Sequence, residues 1–302
     1  MLIDGPILVT GGTGYVGRHL LRRLRAEHPD QPVRALVRRE GVPLPDGVKA
    51  VRGDLTDHAS LASAVRGARA VVNLAAVVAN LKPPKGGYDA VNADGTAALG
   101  RAAAGAGVGV FVQMGGIDRA GESPGPYIAG RRRGERALRE AGVPWVLLQP
   151  SIQFGGGSPF VTALVPIVRR APVVPVIGRG DFVIQMIWVE DVLTCLLAAV
   201  ADPDKQGRAI ELGGPEHLTY DRIVELIGEG LGRRRVRKIH MPLGLMRVQI
   251  RAMQILPRPP LAPVALELFR APENATDLDA VPREFGFTPR AMRDHFARHG
   301  VE

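Results

Sequence analysis

The stretch ILVTGGTGYVGRHLLRRLRAE (residues 7–27) decides the fold. ILVT is a short apolar run, the pattern of a strand covered on both faces. YVGRHLLRRLRAE (15–27) instead places Val16, Leu20, Leu21 and Leu24 on one side of an amphipathic helix. Between strand and helix, Gly11, Gly14 and Gly17 form a GxxGxxG spacing. Gly11 permits the tight turn, Gly14 lets the backbone come close to a phosphate, and Gly17 lets the helix pack on the strand. The helix N-terminus adds N–H donors and partial positive charge, which together suit the pyrophosphate of a dinucleotide.

The rest of the first half repeats this theme. Short apolar runs at 32–37, 48–54, 70–78, 108–116 and 143–151 read as strands, and 58–68, 90–106 and 127–141 read as helices. Continuous apolar strands separated by helices indicate βαβ units and a parallel sheet with both faces covered. The fold class is α/β, a doubly wound parallel sheet of Rossmann type.

The pattern changes after residue 155, where prolines cluster (APVVPVIGRG, 171–180; ILPRPPLAP, 255–263) and the alternation becomes irregular. WVEDVLTCLLAAVAD (188–202) and LTYDRIVELIGEGL (218–231) still read as helices, and AIELGGP (209–215) as a strand ending in a turn. The stretch 242–256 reads as helical, with Leu243, Met246, Ile250, Met253 and Leu256 near one stripe. The expected organisation is a dinucleotide-binding domain over 1–155, joined by 183–212 returning to the sheet. A smaller, irregular C-terminal lobe for substrate or partner takes most of 156–302.

Composition narrows the class. With 46% hydrophobic and 23% charged residues in 302, the chain has the balance of a folded globular protein. The formal net charge is +9, carried mostly by arginine. Such a surface suits a phosphorylated cofactor, an acidic partner or an anionic membrane. Without an aromatic-basic RNA signature, a basic zipper or zinc-finger spacing, nucleic acid is not an expected partner. The single cysteine, Cys195, lies in an apolar run and reads as a core residue, so neither a disulfide nor a metal site is expected. No apolar stretch reaches the roughly 20 residues that span a bilayer. The expected location is cytoplasmic, with peripheral membrane association left open by the basic segment GRRRVRKIHM (232–241).

The end of the second strand bears on which dinucleotide is bound. A free ribose calls for an acid about 20 residues after the glycines, whereas a 2′-phosphate calls for arginine. The chain reads ALVRRE (35–40), so Arg38 and Arg39 precede the first acid, Glu40. A guanidinium there can pair with phosphate. The expected cofactor is NADPH/NADP, with NADH/NAD as the alternative.

Several short blocks in order, TGGTGYVG (10–17), GDL (53–55), NLAA (73–76), VNADGT (91–96) and the Tyr-to-basic spacing at 127–131, extend along the chain. With them the sequence resembles an extended or atypical short-chain dehydrogenase/reductase, of the NAD-dependent epimerase/dehydratase superfamily. The blocks 127–157, IWVEDV (187–192) and ELGGPEHLTY (211–220) are most similar to the branch containing the nucleotide-binding accessory subunit of respiratory complex I and its bacterial relatives. The resemblance implies that Gly11, Thr13, Gly14, Tyr15, Val16 and Gly17 line the pyrophosphate and that Arg38 and Arg39 meet the adenosine phosphate. It places Asp54 and Leu55 beside the adenine, Ala75 and Ala76 along the ribose, and Pro150, Ser151 and Ile152 at the nicotinamide.

The resemblance also frames GPYIAGRRRGERAL (125–138). The superfamily uses a serine that holds the substrate carbonyl, a tyrosine that transfers a proton, and a lysine four residues on. Tyr127 and Arg131 match the last two in spacing and share a helix face. Where the serine is expected the chain has Gly115 and Gly116, which carry no side-chain donor. Three functional readings follow. One is a nucleotide-binding protein with a degenerate triad, its NADPH held structurally or turned over slowly, near quinone or respiratory metabolism. Another is a working NADPH-dependent oxidoreductase, or an epimerase/dehydratase, on a quinone, carbonyl or nucleotide-linked substrate. The third is a sensor of the NADPH/NADP ratio.

Overall fold

The computed structural model describes residues 1–77, 85–242, 244 and 273–301. Its centre is a seven-stranded sheet built from β1 (Ile7–Thr10), β2 (Val33–Val37), β3 (Val48–Arg52), β4 (Ala70–Asn73), β5 (Val110–Met114), β6 (Trp145–Pro150) and β11 (Arg208–Leu212). The strands run in the order β11-β6-β5-β4-β1-β2-β3, and every pairing is parallel. The chain first winds outward through β2 and β3, then returns past β1 to β4. The reversal leaves a crevice at the C-terminal ends of β1 and β4, the usual binding place in such a sheet.

Helices cover both faces. On one, α1 (Tyr15–Glu27) and α6 (Val189–Ala201) pack on the sheet. On the other lie α2 (His58–Val65), α3 (Thr96–Gly105) and α4 (Pro126–Arg139), with Leu61, Leu99 and Leu138 in the core. Leu20, Leu21 and Leu24 of α1 are almost wholly buried, and each such side chain contributes about 1.5–3 kcal/mol of hydrophobic stabilisation. Cys195 is fully buried among them, and burial pushes its thiol well above its usual range.

A second core lies in the C-terminal lobe. There α5 (Pro159–Arg170), α7 (Tyr220–Gly230) and α9 (Met292–His299) enclose Phe154, Val168, Ile223 and Phe296. Short pairs of strands complete the lobe. They are β7 (Gln153–Phe154) with β10 (Ile187–Trp188), β8 (Val174–Ile177) with β13 (Lys238–Met241), and β9 (Val183–Ile184) between β12 (Leu218–Thr219) and β14 (Glu273–Asn274). Through β11 and α6 the segment after residue 183 rejoins the sheet, and α8 (Ala280–Phe285) packs against β11.

The elements differ from the sequence reading mainly at their ends. The strand expected over 70–78 stops at Asn73, and its last expected residue, 78, lies outside the described residues. The helix expected over 90–106 opens as a π-helical turn, Ala90–Gly95, before α3 begins. The physical reason is close packing. A Cβ on Gly134 of α4 would stand 1.9 Å from the Asn92 carbonyl oxygen, and one on Gly95 would stand 2.8 Å from Leu55 Cβ. The wider turn fits between these two surfaces. The stretch 242–256, expected as an amphipathic helix, lies outside the described residues except at 242 and 244.

Candidate functional site

The turn after β1 has the geometry its glycines suggest. Gly11 has φ +66°, and a Cβ there would stand 2.7 Å from the Ala75 backbone N. The Gly14 N–H donates to the Gly11 carbonyl at 2.9 Å, closing the turn. A Cβ on Gly17 would stand 2.2 Å from the Gly11 oxygen, so only glycine lets α1 sit this close. Gly14 caps α1 in an extended conformation with no side chain across the helix end, and Thr13 and Gly14 are exposed. The first N–H groups of the helix, at Tyr15, Val16 and Gly17, have no intrahelical partner. This open, positively polarised end fits a pyrophosphate. Burial, followed by the Glu190 charge, raises the Tyr15 phenol far above its usual range, and its Oη has no hydrogen-bond partner among the described residues.

The other residues expected at the nucleotide lie along the same edge of the sheet. Arg38 and Arg39 are exposed just beyond β2, and neither makes an ion pair among the described residues. Asp54 folds back on Thr56, accepting from its N–H and hydroxyl at 2.9 Å each, while Leu55 is buried beneath Gly95. Ala75 donates its N–H to Thr10 Oγ1, and Ala76 is exposed. Pro150 ends β6 and accepts from the Ile117 N–H at 3.1 Å. Ser151 is buried, and its hydroxyl donates to Asn274 Oδ1 at 2.7 Å. Ile152, half-buried, donates its N–H to the same oxygen at 3.3 Å.

A buried polar chain ties the central strand ends together. Thr10 Oγ1 donates to Asn73 Oδ1, and Asn73 Nδ2 donates to Gln113 Oε1 at 2.8 Å. Asn92, within the VNADGT block, clamps the loop after β4. Its Oδ1 accepts from the Val77 N–H at 2.8 Å, and its Nδ2 donates to the Val77 carbonyl at 2.9 Å.

Tyr127 and Arg131 are brought together beside the end of β5. The Arg131 guanidinium lies 5.9 Å from the centre of the Tyr127 ring, which also makes an edge contact with Tyr88. Two carboxylates that the sequence reading did not single out flank the arginine. Asp118 Oδ2 is 3.6 Å from Arg131 Nη2, and Glu135 Oε1 is 3.5 Å from Nε. Burial pushes the Asp118 carboxyl up, but the hydrogen bond from Arg132 and the Arg131 charge outweigh it and hold the group below its ordinary value. Burial raises the Glu135 carboxyl against the pull of Arg131 and Arg139. Glu135 follows Arg131 at the same interval that separates Arg131 from Tyr127, so its helix face was readable. Asp118 reaches the site only through the fold.

Gly115 and Gly116 are explained by Glu135 and Arg131. A Cβ on Gly115 would stand 2.6 Å from Glu135 Oε1, and one on Gly116 would stand 3.0 Å from Arg131 Nη1. The charged side chains of α4 occupy the space in front of both glycines. A separate groove of about 500 Å³ runs between α1 and α6, lined by residues including His19, Arg23 and Glu190. None of the residues lining it is among the site residues expected from the sequence.

A parallel sheet with its reversal at β1 and β4, a glycine turn opening on that edge and a tyrosine beside β5 form one arrangement. Residues 7–213 match the family model described as the NAD dependent epimerase/dehydratase family. The chain belongs to that family. Dinucleotide binding comes with membership of that family. Within the family, the chain is 31% identical over 299 residues to the (4-alkanoyl-5-oxo-2,5-dihydrofuran-3-yl)methyl phosphate reductase of Streptomyces griseus, covering 97% of each. It is 33% identical over 202 residues to a ceramide reductase of Caulobacter vibrioides, covering 66% of this chain and 62% of that one. The branch expected from the sequence is represented by subunit 9 of the NADH dehydrogenase [ubiquinone] 1 alpha subcomplex of Dictyostelium discoideum. That subunit is 22% identical over 246 residues, covering 78% of this chain and 66% of its own. Among solved structures, MoeE5 in complex with UDP-glucuronic acid and NAD has a TM-score of 0.74 at 23% identity, with 97% of each chain covered, a likeness of fold.

Proposed function

We propose that this protein is an NADPH-dependent reductase that acts on a carbonyl or conjugated carbonyl compound, with Tyr127 as proton donor. The observation that carries the reading is the pairing of Tyr127 with Arg131 at the sheet edge where the glycine turn opens. A bound reduced nicotinamide would supply the hydride. The chain's own residues hold the dinucleotide at Gly11–Gly17, meet its 2′-phosphate with Arg38 and Arg39, and border its reactive end with Pro150 to Ile152. Tyr127 gives its phenolic proton to the substrate oxygen and regains one from solvent. The C-terminal lobe, mostly 156–302, encloses the substrate. The reductase activities named for the two relatives above 30% identity favour this reading over an epimerase.

A single-turnover experiment tests it: protein saturated with NADPH is mixed with quinones and carbonyl compounds while cofactor absorbance is followed. Oxidation should occur, and Tyr127→Phe should slow it at least about tenfold, as expected when a general acid is removed. An unchanged rate in the variant takes Tyr127 out of the reaction.

The glycines at the serine position favour a second reading, in which NADPH binds tightly and is held as structure or as a redox signal. Tight binding without oxidation by any compound would establish it. In that case the basic surface becomes the place to look for a partner. Arg234, Arg235 and Arg237 are exposed around Ile239, itself 56% exposed, and this patch suits an anionic membrane. Sedimentation with vesicles containing phosphatidylserine tests that docking, and protein left in the supernatant rejects it.

A further inference from the structure

We propose that Arg131, and not a group on β5, is the donor that receives the substrate oxygen as it becomes anionic, with Glu135 and Asp118 as its positioning residues. This deepens the reductase reading and rests on it for the identity of the substrate. Three observations carry the inference. The first is occupancy. Any side chain at 116 would begin 3.0 Å from Arg131 Nη1 and 3.9 Å from Cζ, so the guanidinium already covers the end of β5. A donor presented there to a ligand beside Tyr127 comes from α4.

The second is spare donor capacity. Arg131 is only 12% exposed, yet its carboxylate neighbours stand 3.5 and 3.6 Å away, beyond good hydrogen-bonding distance. Among the described residues its Nε is buried without a hydrogen-bond partner, and its one carbonyl contact, to Ile117, is at 3.5 Å. A guanidinium carries five N–H donors, and here they are poorly used. The third is orientation. Asp118 is held by Arg132 Nε at 2.7 Å and Nη2 at 2.9 Å, so its position is set independently of Arg131. Glu135 is wedged against Gly115 and approached by Gln149 Nε2 at 3.4 Å. The arginine stands between these two carboxylates, with its guanidinium carbon 5.9 Å from the centre of the Tyr127 ring.

The chemical consequence is a preference for an oxygen carrying full negative charge. When hydride reaches the electrophilic carbon, the carbonyl π pair moves to oxygen, giving an alkoxide or, through a conjugated system, an enolate. A guanidinium pairs with that charge more strongly than a neutral hydroxyl donor does. Tyr127 then protonates the oxygen or the conjugate carbon, and the phenolate takes a proton from water.

The test needs no turnover. 4-Nitrophenol, whose phenolate absorbs in the visible, is titrated into wild-type protein, with and without NADP⁺, across a range of pH. The bound probe should ionise about one pH unit or more below the free probe, because a fixed cation favours the charged form. Arg131→Lys keeps the charge that the two carboxylates need for folding but loses the planar fork. It should weaken phenolate binding about tenfold. Glu135→Asp keeps the carboxylate but shortens its reach to Arg131, and it should reduce the ionisation shift while leaving NADP⁺ affinity unchanged. No bound phenolate in the wild type, or equal shifts in the wild type and Arg131→Lys, overturns the inference. NADPH oxidation measured on the same samples separates the two ideas. Arg131-dependent phenolate binding without oxidation keeps this inference and removes the reductase reading, and oxidation without a phenolate preference does the reverse.

Discussion

Arg38 and Arg39 stand exposed beyond β2 with no carboxylate holding either among the described residues. Two unpaired guanidiniums one strand away from the glycine turn are free to form bidentate bonds to a phosphate. Arg38→Ala should therefore weaken NADPH binding about tenfold or more, since a charge-assisted hydrogen bond contributes roughly 1.5–3 kcal/mol. NADH binding should change little. Titration calorimetry with both nucleotides decides the matter, and an equal loss for each would mean that Arg38 only supports the fold. At this scale the readable features were those in which neighbours in sequence are neighbours in space. The glycine turn and the interval from Tyr127 to Arg131 are of this kind. Asp118 reaches Arg131 only because the loop after β5 curls back over α4. The bond from Ser151 to Asn274 spans 123 positions, and no local pattern announces it.

At the scale of elements, the α4 interface with the π-helical turn is the tightest junction near the site. Gly130 and Gly134 lie one turn apart on α4, and Cβ atoms there would meet Asp89 Oδ1 at 2.7 Å and the Asn92 oxygen at 1.9 Å. The second contact is with backbone and cannot be relieved by a rotamer change. Gly134→Ala should cost about 3 kcal/mol or more, at the upper end of overpacking, despite the better helix propensity of alanine. Chemical denaturation would measure it, and a loss below about 1 kcal/mol would mean that the turn moves aside easily. The same junction explains why the alternation of strands and helices was legible while the first turn of the 90–106 helix was not. Strand and helix periods depend on the burial pattern of one element. A π turn depends on how closely a second element approaches.

At the scale of the whole molecule, residues 273–301 join the two cores. Arg119 pairs with Glu211 at 2.6 Å and donates to the Ala275 carbonyl at 2.7 Å, while Glu284 accepts from Arg208 at 2.7 Å. Beyond them the Arg290 N–H donates to Asp191 at 2.7 Å, its guanidinium lies 4.1 Å from the Trp188 ring, and α9 inserts His295 beside Phe154 and Trp188. Burial, then the His299 and Arg290 charges, pushes the His295 imidazole down to about 4, and its Nδ1 has no hydrogen-bond partner among the described residues. An unfolded histidine titrates near 6.5. Between those values the unfolded chain binds the extra proton and the folded one does not, so stability falls as pH drops from about 6.5 toward 4. Above 6.5 both states are neutral there and His295 adds no pH dependence. His295→Phe keeps an aromatic ring in the cluster and removes the ionisable nitrogen. Its unfolding free energy should therefore decline less steeply than the wild type's between pH 6.5 and 4, and the two should run parallel from pH 7 to 8. Denaturant melts at half-unit pH intervals give both curves. Equal slopes on the acid side would mean that α9 is already loosened where His295 titrates, and the docking of the C-terminal segment would then rest on its other contacts, those of Arg119, Arg290, Glu284 and Asn274 among them.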